Sequence, residues 1–204
     1  MKKRLAAGID EVGRGPLAGP VIACAIVILP KPGLRILKPS LGKTGKFKDS
    51  KKLSQKQREK YYRLFLKHPN IQWGIGRVAE RTIDRINIYQ ATKLAMERAV
   101  HNLSKKVLPG FLYIDGTMKI KTAIPQKAIV RGDETIQLCT MASIIAKVTR
   151  DRLMIHYHKK YPRYGFNLHK GYGTKLHIEM LKRYGVCLVH RKSFSPINSL
   201  TASS

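Results

Sequence analysis

Negative charge is what this sequence has least of. Its 204 residues carry 40 Lys+Arg against 12 Asp+Glu, a formal net charge of +28. A field of that sign attracts polyanions, with nucleic acid the leading candidate and an anionic membrane surface the runner-up. Cysteine is also scarce: Cys24, Cys139 and Cys187 are scattered in apolar surroundings with no C-x-x-C spacing. That excludes a disulfide framework and reads as three small buried hydrophobes in a reducing compartment. No apolar run reaches the ~18 residues of a membrane span. The opening MKKRLAAGIDEV lacks the apolar stretch of a secretory signal, so a cytoplasmic address is expected. What remains, with hydrophobic residues at 43%, suffices for the core of one domain.

Among so few acids, two stand side by side. In AGIDEVGRGPLAGP, residues 6 to 19, Asp10 and Glu11 sit where an apolar run meets a glycine-rich turn. Residues 5–9 and 21–29 read as paired strands whose short connection forbids a parallel arrangement. A basic stretch follows, carrying Lys31, Arg35, Lys38, Lys43, Lys46 and Lys48. It is too charged and too poor in aliphatics to pack. Ser54 is placed to cap a helix to about Lys67, with Tyr61, Leu64 and Phe65 inward. Residues 71–79 read as a strand, and Asn87 as the cap of a helix with Ile88, Ala91, Ala95, Ala99 and Leu103 on one face. FLYIDG and KAIVRGD read as strands ending at Asp115 and Asp133. A long helix is expected from Glu134 to about Tyr161, with Leu138, Met141, Ile145 and Val148 inward. One more short helix is expected near the end, and a disordered tail over 199–204. Interleaved strands and helices make this an α/β chain with a mixed sheet, expected as one domain over 1–198.

Three apolar strands thus end in acids, and in open α/β sheets ligands gather at such ends. If these strands are neighbours, Asp10, Glu11, Asp115 and Asp133 converge, and clustered carboxylates need a hard cation as counter-charge. A pair of divalent ions would serve in-line phosphoryl displacement. Plainer readings exist for two of the four: Asp133 could cap the following helix, and Asp115-Gly116 could be a turn.

At this point a family resemblance appears. G-I-D-E-V-G-R-G-P-L-A-G-P, D-S-K-K-L at 49–53, Y-I-D-G at 113–116, G-D at 132–133, A-S-I-I-A-K-V-T-R-D at 142–151 and H-K-G-Y-G-T at 169–174, in this order, resemble ribonuclease HII. The resemblance implies a ribonuclease H-like mixed sheet flanked by helices, with a C-terminal helical extension. It implies an endoribonuclease that cuts RNA paired with DNA and incises 5′ to single ribonucleotides in duplex DNA. Two ions, Mg²⁺ or Mn²⁺, would be held by Asp10, Glu11, Asp115 and Asp133. Gly13, Arg14 and Gly15 match the turn that senses the 2′-hydroxyl, and Tyr172 matches the tyrosine at the RNA-to-DNA junction. Taken singly, Tyr172 reads as an amphipathic surface residue. Ser50, Lys51, Lys52, Lys170 and Thr174 are the expected phosphate contacts, although any one lysine could equally be a solvated surface charge. The partners are RNA/DNA hybrid and ribonucleotide-bearing duplex, with no membrane, and the chain is expected to be a monomer. The basic stretch before D-S-K-K-L is longer than the family usually carries. The G-R-G turn and a catalytic block that starts within ten residues of Met1 favour the HII type over ribonuclease HIII.

Two side readings complete the sequence. Asp151 reads as an ion-pair partner rather than a ligand. His156, His158, His169 and His177, among lysines, arginines and tyrosines, read as a phosphate-facing surface rather than a zinc site. The rival functions are a non-catalytic basic binding module, which has no use for the acids, and a DNA-only nuclease or recombinase, which has no use for a ribose sensor.

Overall fold

The computed structural model describes residues 5–30 and 53–202. The basic stretch 31–48 and the expected contacts Ser50, Lys51 and Lys52 lie outside the described residues. Val, Ile and Ala build strands β1 (Ala6–Val12) and β2 (Val21–Ile28), paired antiparallel from Ala7↔Val27 to Val12↔Ile22. Strand β3 (Ile71–Val78) continues that side, while β4 (Phe111–Asp115) and β5 (Gln126–Ile129) run parallel to β1 on the other. The order is β3-β2-β1-β4-β5, the mixed sheet that the short first connection requires.

Helix α1 (Gln55–Lys67) starts at Ser54 through a capping box with Gln57, burying Tyr62 and Phe65 while Tyr61 packs at the margin. Helix α2 (Glu80–Ser104) covers one face of the sheet, setting Ala91, Ala95, Met96, Ala99 and Leu103 against Ala7, Ala23 and Ala25. Its chain breaks at Asn87, φ 63 and ψ 167, whose Oδ1 accepts from Gln90 N at 3.0 Å. Asn87 therefore caps the longer part as expected, but an unforeseen turn precedes it. Glu80–Ile86 has too few aliphatics in phase to show a helical period.

The opposite face belongs to α4 (Gln137–Lys160), whose Met141, Ile144, Ile145 and Val148 meet Ile22, Cys24 and Ile26. Gly8 on β1 makes this contact possible: a Cβ there would stand 2.3 Å from the Leu138 carbonyl carbon. Two expectations need correction here. Asp133 does not end a strand; β5 stops at Ile129, and Asp133 sits in the short helix α3 (Gly132–Thr135). The long helix begins at Gln137 rather than Glu134, because Ile136 is extended at φ −110 and ψ 110.

Beyond α4, a turn at Pro162–Tyr164, then α5 (Phe166–His169), α6 (Lys175–Tyr184) and α7 (Ile197–Ala202) form a helical lobe. Its core is Leu17, Met154, Tyr164, Phe166, Leu181, Val189 and Ile197. The tail expected to be disordered from 199 is helical as far as Ala202, with buried Ile197 fixing its start.

Among the described residues β3 is an edge strand, yet α2, with Lys106 just beyond its end, occupies the strand's outward carbonyls. Lys106 Nζ donates to Trp73 O at 2.9 Å, Asn102 Nδ2 to Ile75 O at 2.8 Å and Arg98 Nη1 to Arg77 O at 2.6 Å. Four residues of helix advance ~6 Å and two of strand ~6.8 Å, so one helical ridge matches alternate carbonyls.

Candidate active site

The parallel register between β1 and β4, ending at Ile9↔Ile114, delivers Asp10 and Asp115 to the same end of adjacent strands. Asp133 arrives from α3. Arg131 turns the chain in the left-handed region at φ 55, and Gly132 then fits against Asp115, its would-be Cβ 3.3 Å from Oδ1. Asp133 N donates to Asp115 Oδ1 at 3.3 Å, and Thr140 Oγ1 holds the Asp133 carbonyl at 2.6 Å. The outcome is that Asp10, Asp115 and Asp133 each offer an oxygen within 4.8 Å of the others. Glu11 stands outside this tight group but lines the same cavity, with Arg14 Nη1 3.5 Å from its Oε1.

The electrostatics are those of a crowded anion. Burial raises the Asp10 carboxyl well above its ordinary range, and the charges of Glu11 and Asp115 push it further. Hydrogen bonds from Ser143 and from Glu11 N, the latter at 2.7 Å, oppose this. Glu11 is also raised, first by burial, with Arg14 offsetting part of the effect. Cys139 lies close by, but burial and the three aspartates push its thiol up to about 12, so it stays neutral. An all-oxygen donor set under mutual repulsion fits a hard divalent cation, which would relieve that repulsion.

The cavity holds about 390 Å³ and is lined by Val12, Gly13, Arg14, Gly15, Arg58, Ser143, Lys147 and Tyr172 besides the four acids. The G-R-G turn and Tyr172 therefore line the same cavity as the carboxylates. A side chain on Gly13 would meet Arg150 Nε at 2.3 Å and its φ is +92, whereas one on Gly15 would meet nothing within 4 Å. Among the described residues, no neighbour calls for a glycine at 15.

Other expected contacts are placed differently. Lys170 does not line the cavity, and its Nζ bonds the Asn167 carbonyl. Thr174, exposed and outside the cavity lining, is the N-cap of α6, accepting from His177 N at 3.3 Å. His169 and His177 are buried, so the phosphate-facing surface read from them is wrong; His156 alone of that set is exposed. Asp151 pairs with Lys147 at 2.8 Å, as expected.

Sequence reading missed Arg58, Ser143 and Lys147 as cavity residues. For Ser143 and Lys147 a signal existed: with Asp151 they form a polar stripe at four-residue spacing along one helix.

Comparisons with known proteins agree with this geometry. The sequence model of the family "Ribonuclease HII" matches residues 7–197. A ribonuclease HII of Bacillus thuringiensis (strain Al Hakam) is 51% identical over 198 residues, covering 95% of this chain and 70% of the relative. The crystal structure of the ribonuclease H2 from Pyrococcus horikoshii OT3 superposes with a TM-score of 0.75 at 26% identity, over 98% of each chain. Bst-RNase HIII in complex with Mn²⁺ shares the fold at 16% identity and TM-score 0.75, over 98% of this chain and 70% of that one. The chain belongs to the ribonuclease HII family and is a divalent-metal-dependent endonuclease of the ribonuclease H kind.

Proposed function

We propose that this endonuclease cuts the RNA strand of RNA/DNA hybrids and incises duplex DNA on the 5′ side of a single embedded ribonucleotide, leaving 5′-phosphate and 3′-hydroxyl ends. In this reading it acts as a cytoplasmic monomer with one catalytic domain over 1–198. The observation that carries it is the three-aspartate cluster facing an open glycine turn across one cavity.

Asp10, Asp115 and Asp133, with Glu11 alongside, would hold two divalent ions, Mg²⁺ or Mn²⁺. When bound, these supply Lewis-acid activation of water and of the departing oxygen. The rest falls to the chain. Ser143 fixes the Asp10 carboxyl by a hydrogen bond, and Asp115 is fixed by the Asp133 amide. Gly15 leaves room for a sugar edge to approach main chain, where the 2′-hydroxyl is the group that separates ribose from deoxyribose. Tyr172, 42% exposed, presents a ring for a sugar and a hydroxyl for a hydrogen bond. Arg58 and Lys147 add positive charge to the cavity wall for the phosphates.

The test offers matched duplexes, all DNA or with one ribonucleotide, plus a continuous hybrid, in Mg²⁺ and in Mn²⁺. Cleavage restricted to ribose-bearing strands supports the reading. Equal cleavage of the all-DNA duplex makes it a DNA nuclease instead, and no cleavage of the single-ribonucleotide duplex removes the incision activity.

A further inference from the structure

Two arginines, Arg150 and Arg191, are fully buried, and their hydrogen bonds go to main-chain carbonyls rather than carboxylates. Arg191 donates from Nε to Gly19 O at 2.9 Å, from Nη1 to Arg14 O at 2.8 Å, and from Nη2 to Gly13 O at 2.5 Å and Gly19 O at 2.7 Å. Arg150 donates to Pro20 O at 3.0 Å, Ala18 O at 2.9 Å and Lys170 O at 2.9 Å. Between them they hold the β1–β2 connection at five carbonyls and tie it to the segment that carries Tyr172. Burying two guanidinium charges is costly, and apolar packing commonly serves stability as well. The arrangement calls for a reason beyond stability.

We propose that Arg191 is a positioning residue for ribose recognition, setting the direction and polarity of the peptide units at 13–15; this rests on the function proposed above. In a trans peptide the C=O and N–H point oppositely. With the Gly13 and Arg14 carbonyls held by Arg191, the amides of Arg14 and Gly15 are turned away from the guanidinium, and both residues line the cavity. A cation on the carbonyl side also draws electrons along each peptide unit, making its N–H a stronger donor. The Arg14 and Gly15 amides thus become a fixed donor pair for a hydroxyl or phosphate oxygen. A second contact seats the clamp: the Phe194 ring lies 4.9 Å from the guanidinium carbon.

The experiment compares the parent, Arg191→Lys and a control, Leu181→Ala, which loosens the same lobe but removes no hydrogen bond to residues 13–15. Melting temperature, kcat and KM on the single-ribonucleotide duplex, and competition by an all-DNA duplex are measured for each. Arg191→Lys keeps a charge but loses the planar fork, so kcat should fall about 10²-fold, the cost of a misplaced recognition group. KM and competition by all-DNA duplex should stay within about twofold. Leu181→Ala should match or exceed its loss of melting temperature yet retain kcat. An unchanged kcat in Arg191→Lys overturns the proposal, and so does an equal kcat loss in Leu181→Ala. Should Arg191→Lys prove insoluble, Phe194→Leu is read by the same criteria. A parent that does not cut the single-ribonucleotide duplex overturns the underlying function instead, so the two failures are distinguishable.

Discussion

Asp10 is where the requirements of folding and of catalysis conflict. It is buried at 5% exposure beside Asp115 and Asp133, and repulsion as well as desolvation opposes its charge. Asp10→Asn should therefore abolish turnover while leaving the melting temperature equal to or above that of the parent. A cleavage assay and a thermal melt check the two halves, and an active variant removes Asp10 from the site. Divalent metal should stabilise the parent but not the variant. At a hundred times its Kd, a ligand of the folded state adds about 2.7 kcal/mol, several degrees in a chain of this length. Tyr172→Phe removes one hydroxyl and no charge, so it should slow cutting at isolated ribonucleotides by roughly 1 kcal/mol with duplex affinity retained. Equal losses in both assays would take Tyr172 out of recognition. The acids were legible in sequence because nothing ordinary explains Asp10-Glu11 at an apolar strand end. Arg150 and Arg191 were not, since an arginine whose partners in the β1–β2 connection lie 130 to 178 residues away looks like any other.

Elements show what their residues share. α5, α6 and the loop before α7 bring His169, His177 and His190 into one buried cluster, with His177 Nε2 and His190 Nε2 3.1 Å apart. Cys187 N donates to His190 Nδ1 at 2.8 Å, so the neutral ring carries its proton on Nε2 and gives it to His177 Nε2. His177 in turn donates from Nδ1 to the Tyr172 carbonyl at 2.9 Å. Burial lowers all three rings, His177 and His190 to about 4. Unfolded histidines titrate near 6.5, so below that pH the unfolded chain binds more protons. Stability contributed by the cluster is complete above about pH 6.5, falls as pH drops towards 4 and levels off beneath. Melting temperatures between pH 7.5 and 4 should trace that decline, and a flat profile would mean the rings titrate in the fold as they do in the unfolded chain. At the other side of the sheet, replacing Arg98, Asn102 and Lys106 together by alanine should uncover the β3 edge. Sedimentation should then show concentration-dependent association, which the parent's blocked edge resists. Periodicity revealed these strands and helices, but the side chains that close an edge or line a helical lobe follow no period.

Across the whole molecule, net charge governs encounter. Duplex affinity should fall steeply with salt, log K dropping ~0.9 per log unit for each phosphate neutralised. Fluorescence anisotropy over a salt series measures the slope, and a shallow one would confine contacts to the cavity wall. The sheet order was foreshadowed by the short β1–β2 connection and by acids at apolar run ends. The C-terminal helices were implied by the family resemblance, but their packing was not legible, because the lobe's core draws Leu17 and Ala18 from the first twenty residues. The bond between Arg191 and Gly13 spans 178 positions, nearly the full chain. During synthesis, all four acids leave the ribosome long before the arginine that steadies their neighbouring turn. On the positioning role proposed for Arg191, the turn beside the acids takes its working shape only once this late segment has folded back onto the strand that precedes it.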